Sequence, residues 1–230
     1  MPQKNVWEKE YARPQFLSRE NEPQKDVVRF VNWLKKKERF FIDHGGAYVA
    51  DLGCGTGRNA YYFAAMGNRV FGIDISQKAI DSAQSFLQGT KYNVRYIQGD
   101  LGKKLDIPDG QCDIALDVTS SNSLTEAERA VQICQMHRVL KVNGYAFIKV
   151  LCKDSDTNAH HLLKHYPGKE KDTYVLPGVG LTERVFSRTD FLHTYEPYFT
   201  VCELQKKTSY MRMNDRVYKR NFWIAYMKKK

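Results

Sequence analysis

The stretch VADLGCGTGRNAYYFAAMGNRVFGIDIS, residues 49–76, constrains this chain more than any other. An apolar run ends on Asp51, and glycines follow at 53, 55 and 57. A helix-length segment then leads to a second apolar run that closes on Asp74. Strand, glycine turn, helix, strand and acid in that order make a unit that binds an adenine nucleoside. A dinucleotide fingerprint, G-x-G-x-x-G, would put its third glycine at 58. That position is Arg58, whose side chain would crowd helix–strand packing. An acid two residues ahead of the first glycine is also atypical of that site. The spacing therefore disfavours NAD.

The rest of the chain extends the pattern. Pro23 opens a helix whose Val27, Phe30, Val31 and Leu34 keep the spacing of one apolar face. KKK at 35–37 suits the negative end of its dipole, and Gly45-Gly46 breaks the chain. Strands are expected at 48–52, 69–73, 94–98, 113–118 and 145–151. Helices alternate with them at 58–66, at 77–88 with Ser76 as cap, and from a Thr125/Glu128 capping box through Arg138. VNG ahead of the fifth strand reads as a turn. Such alternation builds a parallel sheet with helices on both faces. From 152 to 187 the pattern loosens into a short helical piece at 155–165 and a stretch punctuated by proline and glycine, an ordered excursion and not a core element. SRTD starts another short helix. Two β-rich runs, 199–210 and 217–227, flank MNDR as a hairpin-turn candidate. Residues 1–22 look irregular, with Trp7, Tyr11 and Phe16 scattered among charges.

D-x-G-x-G-x-G at 51–57 resembles motif I of the class I S-adenosylmethionine-dependent methyltransferases, and the likeness continues along the chain. Asp74 stands where the family's ribose-binding acid stands. GDL at 99–101 follows the third strand, where the family holds the adenine amine with an acid. CDIALDV at 112–118 resembles the strand-four motif, and RVLKVNGYAFI at 138–148 the helix–turn–strand-five segment. The last two β runs resemble strands six and seven, so the resemblance covers about residues 25–227.

It implies a Rossmann-like, doubly wound α/β fold: a seven-stranded sheet in a single domain, mostly parallel with strand seven antiparallel. It implies an enzyme that converts S-adenosyl-L-methionine to S-adenosyl-L-homocysteine. The cofactor-binding set it implies is Asp51, Gly53, Cys54, Gly55, Gly57, Asp74, Ile75, Asp100, Leu101 and Asp117. The ligand's chemistry agrees. It has no pyrophosphate, so no phosphate cradle is needed, and glycines let backbone approach it closely. A carboxylate at 74 accepts from both ribose hydroxyls. Ile75 and Leu101 are placed to sandwich the adenine, and the helix start near 58 favours the ligand's carboxylate. WEKEY at 7–11 is similar to the entry segment of the tellurite-resistance and thiopurine-methyltransferase-like branch. That likeness implies an N-terminal arm, 1–22, closing over the cofactor through Trp7 and Tyr11. The methyltransferase domain is then 23–230, with a lid-like insertion at 152–187.

Ligands in open α/β sheets sit at the carboxyl ends of the strands. Four segments converge there: the arm, the loop after strand four, the excursion after strand five and the hairpin tip. The loop reads DVTSSNSL, a polar wall in which Asp117 is the candidate base or acceptor-orienting residue. The alternative is that Asp117 and its neighbours only cap the next helix. Tyr11, Ser120, Asn122, Arg212 and Arg216 are the substrate-side candidates. Methyl transfer is an in-line displacement from an activated donor, so positioning and desolvation carry much of it. The family's enzymes for exocyclic base amines carry a [DN]-P-P-[YFW] run after strand four, and those for pyrimidine C5 a Pro-Cys nucleophile. Neither is present here. His161 and His165 share a helical face, but no third ligand accompanies them, so no metal is expected; His160 or His165 is a further base candidate if its segment folds over the site.

Charge is unevenly placed. Residues 204–230 hold nine basic side chains against Asp215, so +8 of the chain's +10 lies there. Two readings stand: the hairpin attracts an anionic acceptor or a nucleic-acid backbone, or its lysines and arginines protect a sheet edge. The 230 residues, 42% hydrophobic, suffice for one large domain with a real core. No apolar run is long enough to cross a bilayer, and the opening MPQKNVWEKE lacks the apolar stretch of a signal peptide. Five cysteines without a CxxC pair suggest neither a disulfide framework nor a zinc site. The expected location is cytoplasmic. The sequence thus favours methylation of oxygen, nitrogen or sulfur on a small, anionic or neutral, acceptor. RNA or protein methylation is the alternative, and a non-enzymatic scaffold a third.

Overall fold

Short apolar strands that bury both faces need helices on each side, and the chain supplies them in turn. The computed structural model describes residues 3–14, 21–213 and 216–230, with side chains at all of these except 211–213 and 216. In chain order the main elements are helices α1 (Lys4–Ala12) and α2 (Lys25–Trp33), strand β1 (Tyr48–Leu52), helix α3 (Arg58–Ala65), strand β2 (Arg69–Asp74), helix α4 (Gln77–Phe86), and strands β3 (Val94–Gln98) and β4 (Cys112–Val118). Helix α5 (Glu126–Val139), strand β5 (Leu140–Cys152), helix α6 (Thr157–His165), strands β6 (Thr173–Val175) and β7 (Thr182–Arg184), helix α7 (Arg188–Tyr195), and strands β8 (Phe199–Met213) and β9 (Arg216–Lys229) follow.

Seven strands form one sheet in the order β3-β2-β1-β4-β5-β9-β8. Neighbours from β3 through β5 pair in parallel, whereas β9 runs antiparallel to both β5 and β8. The order reverses between β1 and β4, and that switch point opens a crevice at the strands' carboxyl ends. Alternation along β5 and β9 divides the core. Ile148, Val150, Trp223 and Ala225 face the layer of α5 and α7, and Phe147, Ile224 and Tyr226 face α2 and α3. Phe30, Phe63 and Phe147 are wholly buried, each worth about 2–3 kcal/mol of transfer free energy. The antiparallel pair β6–β7 and α6 build the excursion around a small core of Leu162, Tyr174, Leu176 and Leu181. Among the described residues no helix is long and apolar enough to cross a membrane.

Ser76 caps α4 by accepting from the Ala79 N–H, and Thr125 and Glu128 form the capping box of α5. Three expectations change. Residues 4–12 are a helix, α1, because its polar side chains find partners on other elements. The KKK run lies in a π-helical turn, Leu34–Glu38, that ends α2. VNG is a bulge inside β5: pairing with β4 jumps from Cys112–Leu140 to Ile114–Tyr145, and Asn143 takes φ 63°, which asparagine tolerates. The cysteines are free; Cys54, Cys112 and Cys152 are buried, and Cys134 and Cys202 exposed.

Candidate active site

The turn after β1 folds back onto the tip of β2, where the N–H groups of Gly53 and Cys54 both donate to the Ile73 carbonyl (2.7 and 2.9 Å). Gly53 has φ 77° and packs so close to Ser120 that a Cβ there would collide with the serine's own Cβ. A Cβ on Gly55, at φ 55°, would lie 2.8 Å from the Tyr11 hydroxyl. The turn is thus shaped by the loop after β4 on one side and by the arm on the other.

Two carboxylates flank it. Asp51 is 1% exposed, and its Oδ2 has no hydrogen-bond partner among the described residues. Burial, reinforced by the Asp74 charge, pushes its pKa up to about 7. Asp74 accepts from the Gly55 N–H through Oδ2 and from the Ser76 N–H through Oδ1, both at 2.9 Å. Burial raises its pKa to about 6 against those two bonds. Cys54 is buried beside both acids, and burial raises its thiol well above its usual range. Ile75 is half-buried at the rim, whereas Leu101 turns into the apolar core at 4% exposure. Asp100, half-buried, accepts from the Gly102 N–H at 2.9 Å.

The arm closes this corner. Glu8 accepts from the Gln77 N–H (2.7 Å), the Ser76 hydroxyl (3.0 Å) and the Lys78 N–H (3.4 Å), so its carboxylate sits on the N-terminus of α4. Partial burial raises its pKa, but those donors and Lys4 lower it further, leaving it below the ordinary value. Gln3, 8% exposed, donates to the carbonyls of Ser123 and Thr182 and accepts from the Thr182 N–H. One amide therefore ties the arm to the loop after β4 and to β7. Between arm and excursion lies a cleft of about 530 Å³, lined by Val6, Lys9, Glu10, Arg13, Gly178 and Val179 among others.

The loop after β4 differs from expectation. Asp117 is wholly buried, and its Oδ1 accepts from the Ser120 N–H (3.0 Å), the Ser120 hydroxyl (2.6 Å) and the Ser121 N–H (3.2 Å). Those bonds cap the 3-10 turn Ser121–Ser123. Its Oδ2 has no hydrogen-bond partner among the described residues, so a capping role for Oδ1 stands beside the base or acceptor-orienting expectation. Asn122 is 2% exposed, and its Oδ1 accepts from the Leu151 N–H at 3.1 Å, so it joins the loop to β5 and does not line a pocket. Ser120 is half-buried against the glycine turn. Arg212 and Arg216 have side chains outside the described residues. His161 and His165 stack at 4.2 Å, and the described residues hold no group of three metal-ligating side chains.

Much of the C-terminal positive charge is spent internally. Arg220, 7% exposed, donates to Glu183 (2.8 Å) and to Tyr174, pinning β9 to the excursion. Lys207 pairs with Asp26, Lys229 donates to the Leu140 carbonyl, and Lys230 to that of Glu196. Lys219 is exposed. Sequence reasoning missed Gln3, Glu8 and Lys149. Lys149 carried a signal, since it is the one charge in the apolar run YAFIKVLC. Gln3 and Glu8 carried none, because their partners are 65 or more residues away.

A methyltransferase domain model matches residues 49–144. An uncharacterized methyltransferase of Schizosaccharomyces pombe is 30% identical over 110 residues, which span 48% of this chain and 73% of that protein. The fold superposes on a SAM-dependent methyltransferase from Methanosarcina mazei with a TM-score of 0.72 at 19% identity, covering 90% of this chain and 98% of that one. It also superposes on the 1,6-didemethyltoxoflavin-N1-methyltransferase of Burkholderia thailandensis, solved with 1,6-didemethyltoxoflavin and S-adenosylhomocysteine bound. There the TM-score is 0.60 at 17% identity, covering 89% and 86%. The chain belongs to the class I S-adenosylmethionine-dependent methyltransferases. It is an enzyme of that family, and its cofactor is S-adenosyl-L-methionine.

Proposed function

We propose that this methyltransferase acts on oxygen, nitrogen or sulfur of a small acceptor, and that anionic acceptors are favoured. The observation that carries this reading is the closed corner. Gln3 ties the arm to both the β4 loop and β7, and the cleft beside it, about 530 Å³, is of small-molecule size. Lys9 and Arg13 outnumber Glu10 on its wall, which favours negative charge. The substrate of the Burkholderia relative, a small heterocycle, agrees with that scale. The pairing of Lys207 with Asp26 and of Arg220 with Glu183 weakens the case for an RNA or protein substrate.

In this reading residues 1–22 form the closing arm of a methyltransferase domain, 23–230, and 152–187 form its lid. The residues fit the cofactor on structural grounds: an orphaned buried carboxylate oxygen on Asp51, a second buried acid at Asp74, and a glycine turn with no room for a Cβ. Bound S-adenosylmethionine supplies a methyl group on a positively charged sulfur. Gly53, Gly55 and Gly57 let the turn pack tightly against Ser120, Tyr11 and Tyr96, and beside it Asp74 would take the ribose, Asp100 and Ile75 would border the adenine, and Asp51 would offset positive charge. Asp117 fixes the β4 loop so that Ser120 presses on the turn, and Tyr11 and Glu8 exclude water from above.

The test is transfer of labelled methyl from S-adenosylmethionine to a panel of small phenols, amines, thiols and carboxylic acids, run beside bulk RNA and a protein lysate. Labelling of a small acceptor is expected. Labelling of RNA alone, with a steep salt dependence, would overturn the reading. Cofactor consumption with no partner present eliminates the scaffold alternative.

A further inference from the structure

Lys149 is a charge inside a core strand. It stands level with Val118 of β4, on the face that α2 and α3 cover, with its side chain 13% exposed. Its ammonium donates to Gln24 Oε1 (3.1 Å) and Asp26 Oδ2 (2.9 Å) at the start of α2. An ammonium has three N–H donors, so one remains beyond these two. Asp26 also pairs with Lys207 and with Arg29 at 3.1 Å. Among the described residues one carboxylate therefore serves three cations at this corner. Burial, with Lys207 and Arg58 nearby, lowers the Lys149 pKa against the pull of Asp26.

The surroundings place this charge on the reactive side of the sheet. The Gln24 N–H donates to Asn59 Oδ1 (3.0 Å), in the helix that follows the glycine turn. The Thr119 N–H donates to the Lys149 carbonyl (2.8 Å), and Thr119 has φ 67°, a conformation costing a β-branched residue about 1–3 kcal/mol. The loop after β4 is thus bent onto β5 at this residue. Lys149 Nζ lies 4.8 Å from the centre of the Phe222 ring. Phe222, Trp7 of the arm, Val179 of the excursion and Tyr218 of β9 each pack against the small core of the excursion. An ammonium beside an aromatic ring is suited to a flat ring that carries an anion.

We propose that Lys149 is the specificity residue for the acceptor, holding the carboxylate of an aromatic acid whose ring lies against Phe222. This rests on the small-acceptor reading and narrows it to one class. Lys149 does not touch the reacting atoms. Its contribution appears in acceptor affinity and KM, with kcat for bound acceptor little changed.

The test pairs aromatic acids with their primary amides, such as benzoate, salicylate and 4-hydroxybenzoate with benzamide, salicylamide and 4-hydroxybenzamide. Binding to the wild-type protein saturated with S-adenosylhomocysteine is measured by calorimetry, and KM and kcat are measured for any member that is methylated. At least one acid is expected to bind about 10- to 100-fold tighter than its amide, the span of a charge-assisted bond. Lys149→Gln should erase that preference and Lys149→Arg should keep most of it, while S-adenosylhomocysteine binds all three proteins alike. Equal binding of every acid and amide by the wild type, which needs no variant, would overturn the proposal; so would full preference in Lys149→Gln. Methylation of neutral members without preference leaves the small-acceptor reading standing and removes the anchor. Methylation of RNA or protein with no small molecule bound removes both.

Discussion

Replacing Asp51 by asparagine removes a charge while keeping the side chain's shape, and the consequence for the cofactor-free protein depends on pH. The folded pKa of Asp51 is about 7 against an ordinary 3.8. Below the ordinary value the carboxyl is protonated whether the chain is folded or not. Between the two values the folded protein keeps a proton that the unfolded chain releases, so rising pH removes stability at about 1.4 kcal/mol per pH unit. Above about pH 7 the full cost, about 4 kcal/mol, is in place. At 1% exposure, solvent screens little of it. Asp51→Asn has no such proton. The stability gap between variant and wild type should therefore widen by about 3 kcal/mol from pH 5 to pH 8.5. For a chain of this size that is roughly 6–12 °C in melting temperature. Thermal melts of both cofactor-free proteins at several pH values measure it directly. Addition of S-adenosylmethionine at pH 8.5 should favour the wild type, because the variant lacks the charge that in the proposed site would offset the cofactor's positive charge. A gap that stays flat with pH would refute the reasoning, since burial would then not be opposing the Asp51 charge.

Other variants probe the arm, the turn and the β4 loop. Glu8→Gln weakens the anionic cap on α4 by about 0.5–1 kcal/mol; amide exchange over residues 4–12 should quicken, and unchanged protection would count against the latch. Gly53→Ala forces a Cβ into Ser120 at φ 77°, so a loss of about 2 kcal/mol or more is expected in denaturant melts, together with loss of S-adenosylhomocysteine binding. Asp117→Asn keeps an oxygen for the Ser120 and Ser121 donors and should retain most turnover, whereas Asp117→Ala strands them at a cost of about 1–3 kcal/mol. Equal and complete inactivation of both, with folding intact, would assign Asp117 as a base.

What the sequence made legible follows the range of the interactions involved. Strands β1 to β4, the cap at Ser76 and the box at Thr125 and Glu128 rest on patterns a few residues long. So does the glycine turn, whose order with Asp74 and GDL carries the family resemblance. The arm was misread because α1 has little apolar face of its own, with Glu10 its one buried residue, and is held by Gln3 and Glu8 through distant partners. Asp117 reads two ways for a related reason. An acid at a strand end followed by serines fits a catalytic wall and a helical cap equally well. Lys149 was visible as an anomaly in YAFIKVLC, but its partner Asp26 lies 123 residues away.

The Gln3 amide has a consequence for the order of events in turnover. Since it bonds both the β4 loop and β7, the arm and the excursion are stapled as one door over the glycine turn. Tyr11 rides on that door above Gly55. A cofactor bound beneath Tyr11, as proposed above, would have to enter before the arm closes. In the arm-and-lid reading proposed above, sequential ordered kinetics are expected, with cofactor first on and S-adenosylhomocysteine last to leave; product inhibition by S-adenosylhomocysteine that is not competitive with S-adenosylmethionine would refute it.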